Sequence, residues 1–385
     1  MPVSLLICGD TVPTQSNFRE FAAGDRPAYV SDALWARMEE ADLRFYNLEV
    51  PLCDVSRPIV KCGPNLIAPR ATAAGLEALK PDLVGLANNH ILDQDAQGLY
   101  STLEALDSRN IPHVGAGADL AEAAKPWIFE KDGLRIGLYN CAEHEFTIAG
   151  ENSPGANPFD PFESPDHIRE LKARCDYVVV IYHGLKEHYR YPSPKVRRAC
   201  RKMVEWGADL VVCQHSHCVG CMEEYRGGTV VYGQGNFIFD HKDNEFWRTS
   251  LLIKATFDRE LRVEYIPVRR ENKGVGLGDE AILQGFYDRS REITREGFVE
   301  ANYEAYALSM INEYYVMLTA DDGVPFSDEV IADRAAKADF AGKYHPTFLS
   351  AMENIFRCEA HNELIQAALH KLTGSGVYRG QEKET

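Results

Sequence analysis

Two short segments constrain the fold of this chain more than anything else in it. DYVVVIYH (176–183) and DLVVCQH (209–215) are almost continuously apolar, rich in β-branched residues, and each stops on a histidine. Apolar runs this short and without alternation belong to strands buried on both faces, the condition of a parallel sheet covered by helices. The pattern at 194–206 supplies the helix that a parallel crossover needs.

The same grammar recurs upstream. Residues 2–8 form an apolar run that stops at Gly9-Asp10; LRFYNLEV (43–50) ends on Asn47 and Glu49; DLVGLANNH (82–90) ends on His90. Helical patterns lie between them at 31–40, with Ser31 as N-cap, at 70–79 and at about 95–108. IPHVG (111–115) reads as a short strand. Residues 126–130 and 134–141 read as a hairpin turning on Lys131-Asp132-Gly133. A Pro-, Gly- and Asn-rich loop fills 150–165, and a helix is predicted at 166–175. VGCMEEY, TVVYGQGNFIFD, TSLLIKATFD and LRVEYIPV then follow on short turns, which predicts antiparallel pairing. Helical patterns take over at 279–296, 298–319 and 346–371. We therefore expect an α/β domain over 1–272 and a helical C-terminal region over 273–385.

Composition narrows the function. The chain has 385 residues and a formal charge of −17, which argues against nucleic acid, whose phosphates need a basic face. Anionic lipid is disfavoured for the same reason. No run approaches the roughly 18 apolar residues of a membrane span, and the N-terminal apolar run is too short for a signal peptide. Ten cysteines in this length are too dilute for a disulfide scaffold. The expectation is a cytoplasmic protein. Cys218-x-x-Cys221 has no second pair to complete a zinc knuckle.

The chemistry is written where the strands end. Asp10, Asn47 with Glu49, Asn88-Asn89-His90, His183, and His215 with His217 occupy five such ends. In open α/β sheets, ligand sites lie off the carboxyl ends of strands. Any one of these residues alone reads as a turn, a cap or a chance histidine. Five successive ends make one converging set. Imidazole favours Zn, Fe, Ni and Cu; carboxylate and carbonyl oxygens admit Mn and Mg. His215 and His217 share one face if the backbone stays extended. If it has turned, one loop aims both.

In order, GD, NLEVPL (47–52), LANNHILD (86–93), HGLKEHYRYPSP (183–194), GADLVVCQHSHCVG (207–220) and YGQGNFIFD (232–240) resemble the bacterial CapA family, linked by name to poly-γ-glutamate capsule synthesis. That family is similar to the calcineurin-like metallophosphoesterases. The likeness covers about 3–268 and leaves the helical C-terminal region out. It implies a four-layer α/β/β/α metallophosphatase-like sandwich holding one or two divalent ions, Mn, Fe or Zn. Asp10, Glu49, Asn89, His183, His215 and His217 fall at the ligand positions, and His90 at the catalytic histidine. Val12 stands where phosphoesterases carry a histidine, and Glu49 where they carry the bridging aspartate. The site of Asp10, Glu49 and His217 is therefore one protein ligand short. The site of Glu49, Asn89, His183 and His215 is complete.

The resemblance implies a hydrolase in which paired cations activate water and clamp the attacking and departing oxygens. His90 would be general acid. Asp93 either fixes its tautomer or caps the next helix. Lys61 and Asn65 lie on a loop that faces the site in this family. Lys186 and Glu187, just after His183, either meet an anionic small molecule or polymer or are simply solvated. Asn47, Asn88 and Asn236 would support the ligands. The bond is a phosphoester or a γ-glutamyl amide. The missing histidine also admits a non-catalytic, metal-binding accessory role in capsule-polymer synthesis or export.

Overall fold

The computed structural model describes residues 2–61, 63–240, 244–319, 328–357, 361, 362 and 369. In chain order its strands are β1 (Val3–Val12), β2 (Leu43–Leu48), β3 (Leu83–Gly85), β4 (His113–Val114), β5 (Ala116–Gly117), β6 (Trp127–Lys131), β7 (Leu134–Ala142), β8 (Gly155–Ala156), β9 (Tyr177–His183), β10 (Leu210–Gln214), β11 (Val219–Tyr225), β12 (Gly228–Gln234), β13 (Asn236–Phe239), β14 (Thr249–Phe257), β15 (Arg262–Glu271) and β16 (Gly274–Leu277). One sheet has the order β16-β15-β14-β1-β2-β3-β4, and a second β11-β12-β10-β9-β7-β6. β5 and β8 form a small pair of their own.

The apolar runs are continuous because both faces of each sheet are covered. On β1, Val3, Leu5 and Ile7 point between the sheets, against Leu138, Val179, Ile181 and Val212. Leu6 and Cys8 point the other way, into a core shared with Leu34, Met38, Leu76 and Leu99 of the helices. The second sheet is covered outside by the helices Ser164–Lys172 and Pro194–Trp206, which bury Ile168, Leu171, Cys200 and Met203. The order is helix, sheet, sheet, helix: a four-layer α/β/β/α sandwich. Ser31 caps the helix Asp32–Glu39, accepting from the Leu34 amide as expected. The Asp132-Gly133 turn has both residues at positive φ, 52° and 81°, as a tight hairpin requires.

Several sequence expectations are revised. β1 does not stop at Gly9-Asp10. β14 pairs with it antiparallel over Val3–Ile7, and β13 replaces β14 from Asp10 onward, in parallel. TVVYGQGNFIFD is accordingly two strands, not one. β12 lies parallel to β10 in one sheet, and β13 lies beside β1 in the other. The crossing is made at Gly235, at φ 77°. Gly9 lets the two strands meet, since a Cβ there would fall 2.1 Å from the Gly235 carbonyl oxygen.

The described residues fall into two compact units, one within Met1–Glu296 and one within Gly297–Ser375. Position 272, where a division was expected, is the turn of the β15–β16 hairpin. The helix Glu280–Glu292 also belongs to the first unit, because its Ser290 accepts from Met222 on β11 and its Arg289 donates to Gly220. In the second unit the helices are Phe298–Thr319, Asp328–Ala335, Phe340–Lys343 and Pro346–Arg357. Asn312 ties the first of these to the Ala338–Phe340 segment. The expected helix to 371 is described as far as Arg357; most of the remainder lies outside the described residues. Among the described residues no helix is long and apolar enough to cross a membrane.

Candidate metal centre

Parallel pairing puts the carboxyl ends of β1, β2, β3, β9 and β10 at one rim, and the residues singled out there converge. Asp10 is on β1, Asn47 on β2 with Glu49 just beyond, Asn88-Asn89-His90 follow β3, His183 ends β9, and His215 and His217 follow β10. The backbone has turned by the time it reaches the histidine pair. His215 and His217 sit at φ 78° and 53°, a left-handed conformation that side chains with a Cβ rarely adopt. Such strain persists only where the surroundings hold it, and it clusters at functional sites.

Glu49 is at the middle of the group. It is fully buried, and neither carboxylate oxygen has a hydrogen-bond partner. His183 Nε2 lies 3.3 Å from Glu49 Oε1 and 3.0 Å from Asn89 Oδ1. Ligand atoms of Glu49, His215 and His217 all lie within 4.8 Å of one another. Asp10 Oδ2 is 3.5 Å from His217 Nδ1. Asn47 Nδ2 is 2.7 Å from Asp10 Oδ1 and 3.2 Å from His183 Nδ1, so it braces two neighbours at once. Asn236, on β13, accepts from His217 Nδ1 at 2.8 Å. Asn88 donates to the Leu48 carbonyl and accepts from the His90 amide, which fixes the turn that carries Asn89 and His90.

The electrostatics set buried carboxylates against buried imidazoles. Burial alone pulls the His217 imidazole down, but the Glu49 and Asp10 carboxylates outweigh it and lift it to about 9. His183 is raised against the same burial by the same two carboxylates. His215 goes the other way, pushed well below its ordinary value by burial and by the neighbouring His183 and His217 rings. Buried anionic oxygens without donors are costly unless paired or bound to a metal. The unpartnered Glu49 oxygens and the unpartnered Nδ1 of His215, in a set of imidazole, carboxylate and amide oxygens, fit a divalent ion.

Beside this group His90 Nδ1 meets Asp93 Oδ2 at 2.5 Å, while His90 Nε2 stands 4.0 Å from Glu49 Oε1. The helix that follows begins at Asp95 with Gln94 at its cap, so the Asp93 carboxylate is not spent there. Instead it faces His90, accepts from the Leu66 amide and pairs with Lys61. Lys61, expected to face a substrate, is buried against Asp93. Asn65 is a loop strut, donating to the Ile59 carbonyl. Lys186 is exposed and Glu187 half-buried at the mouth. Val12 is packed in the core and offers no ligand atom.

Two features of the rim escape sequence reasoning. Glu143 follows β7, with Oε1 3.4 Å from His215 Nε2. The signal was there: β7 is parallel to β9 as well as antiparallel to β6. Reading it as half of a hairpin hides that its carboxyl end belongs to the same rim. Trp247 and Phe239 form an aromatic wall on His217, with ring centroids 4.5 and 5.6 Å away. The chain reaches Trp247 from the other side of the crossover, beyond any local pattern.

The fold is a two-sheet α/β sandwich with buried carboxylates and histidines gathered at its strand ends, residue types that could hold a divalent cation. The family model described as "Bacterial capsule synthesis protein PGA_cap" matches residues 4–241, and the chain belongs to that family. It is 36% identical over 158 residues to the PGA biosynthesis protein CapA of Bacillus subtilis, covering 40% of this chain and 41% of the relative. It is 29% identical over 182 residues to the capsule biosynthesis protein CapA of Bacillus anthracis, covering 46% and 44%. The chain thus spans less than half the length of these curated relatives. Among solved structures, a putative 5'-nucleotidase from Staphylococcus aureus overlaps 75% of this chain and 58% of its own, at 14% identity and a TM-score of 0.45.

Proposed function

We propose that this protein is a metal-dependent hydrolase whose substrate is anionic and whose scissile bond is a phosphoester or a γ-glutamyl amide. The observation that carries the reading is the fully buried Glu49 carboxylate, with His183 Nε2 3.3 Å from its Oε1, gathered with Asp10, Asn89, His215 and His217 at one rim.

Glu49, Asn89, His183 and His215 would hold one cation; Asp10, Glu49 and His217 would hold a second, with one protein ligand fewer. Bound there, such ions supply Lewis-acid activation of water and neutralise charge on the reacting group. The chain's own part is proton transfer and order. His90, next in sequence to Asn89, turns its Nε2 toward the Glu49 side while Nδ1 is held by Asp93. A proton carried on Nε2 is then available to the departing oxygen or nitrogen, and Asp93 keeps the ring in the orientation that delivers it. Lys61 holds Asp93 in turn. Trp247 and Phe239 pack on His217, which is buried. The γ-glutamyl alternative is suggested by the resemblance to the CapA family, linked by name to poly-γ-glutamate capsule synthesis, and the phosphoester alternative by that family's similarity to phosphoesterases.

One feature favours a second reading, a metal-binding accessory role in capsule-polymer synthesis. Val12 fills the place of a ligand, so the second cation would be held weakly. Turnover separates the two. Wild-type protein supplied with Mn²⁺ is offered an aryl phosphate and, separately, a γ-glutamyl anilide. Turnover of either that disappears in His90→Ala supports the hydrolase; metal binding with no turnover of either supports the accessory role.

A further inference from the structure

We infer that Glu143 is a positioning residue of this centre: its carboxylate holds the Nε2 side of His215, so that Nδ1 is the atom His215 presents to a cation. The inference rests on the metal-centre reading and extends it to a strand end outside the family motifs.

Ala142, the last residue of β7, pairs with His183 on β9, and the Glu143 amide donates to the His183 carbonyl at 3.0 Å. Glu143 therefore leaves the sheet at the point where His183 does, and its Oε1 stands 3.4 Å from His215 Nε2. On the other side of the same ring, Nδ1 is buried and has no hydrogen-bond partner. The ring is 4% exposed, with the His183 ring centroid 4.9 Å away.

A neutral imidazole carries its proton on one nitrogen and its lone pair on the other. A carboxylate accepts only, so beside Nε2 it favours the proton there and leaves the lone pair on Nδ1. Histidines that bind metals regularly carry such a partner on the far nitrogen, which fixes tautomer and ring plane and strengthens the ligand. His217 is braced by an amide instead: its Nδ1 donates to Asn236 Oδ1, so it presents Nε2. His215, faced by Glu143 at Nε2, presents Nδ1. Reversed ring orientation lets residues two apart in one loop address the same volume.

The test is Co²⁺ titration of chelator-stripped protein, read by calorimetry and by the visible absorption of bound Co²⁺. His215→Ala identifies the binding event that depends on this ring. Glu143→Ala is expected to weaken that event about 10- to 100-fold and to leave the melting temperature of the stripped protein unchanged. Glu143→Gln, whose amide oxygen still accepts from Nε2–H, is expected to recover part of the loss. Wild-type affinity in Glu143→Ala overturns the inference. So does a loss as complete as that of His215→Ala, which would make Glu143 a ligand itself. No Co²⁺ uptake by the wild-type chain overturns the metal-centre reading and this inference with it.

Discussion

The Lys61 ammonium and the Asp93 carboxylate form an ion pair that solvent scarcely reaches, with side-chain exposures of 2% and 0%. Asp93 is also the residue that orients His90, and its backbone and side chain accept from Ile59 and Leu66 of the Lys61 loop. The loop and the proposed proton donor therefore share one anchor. Removing one partner of a buried pair leaves an uncompensated charge and costs about 3–5 kcal/mol. Lys61→Met is expected to lower unfolding free energy by roughly that amount in urea. A variant with unchanged stability and a raised KM would place Lys61 at the substrate instead.

His90→Ala should separate proton delivery from metal binding. The side chain is beside the donor set and not among its closest atoms. Turnover is expected to fall about 10²- to 10⁴-fold, the usual range for a lost general acid, with metal content as in wild type. Asp93→Asn should follow in the same direction by a smaller factor. Full activity in His90→Ala would contradict the acid role.

Gly9→Ala tests the crossing that assembles the rim. A Cβ at this position meets backbone of Gly235 and Phe237, which no side-chain motion can relieve. β13 must shift, and it carries Asn236, the partner of His217. We expect a loss of about 1–3 kcal/mol in stability together with weaker metal uptake. Wild-type melting and metal content in this variant would show that the close approach is not required.

Glu223 gives a pH signature remote from the centre. It accepts from Arg197 at 2.8 Å, Arg201 at 2.7 Å and Tyr232 at 2.7 Å. Burial raises its pKa, but the two guanidiniums and the phenol outweigh it and bring it to about 2. A carboxylate depressed on folding contributes stability that is fully present above its ordinary value and is lost as pH falls toward the folded value. The stability difference between wild type and Glu223→Gln should therefore be largest near neutral pH and shrink between about pH 5 and 2. A difference that does not change with acid would reject the pairing.

The sandwich was legible because its strands advertise themselves: runs such as DYVVVIYH bury both faces, and only a covered parallel sheet allows that. The strand-end donors were legible for the same reason, since a polar residue closing an apolar run is an exception that local pattern exposes. What the sequence hid is long-range. Nothing in TVVYGQGNFIFD says that one glycine sends its two halves to different sheets. The pairing of Lys61 with Asp93 and of Glu143 with His215 spans loops whose course no periodicity records. Asn65 illustrates the converse: a polar loop residue in a motif, turned inward to hold its own backbone.

The central claim is that Glu49 helps to hold a divalent cation. Elemental analysis of protein purified without chelator measures this directly, on wild type and on Glu49→Gln, which keeps the shape and removes the charge. At least one equivalent of a divalent transition metal in the wild type, sharply reduced in a folded Glu49→Gln, is the expected result. A wild-type protein without metal after incubation with Mn²⁺, Fe²⁺ and Zn²⁺, or equal content in the two proteins, would contradict it.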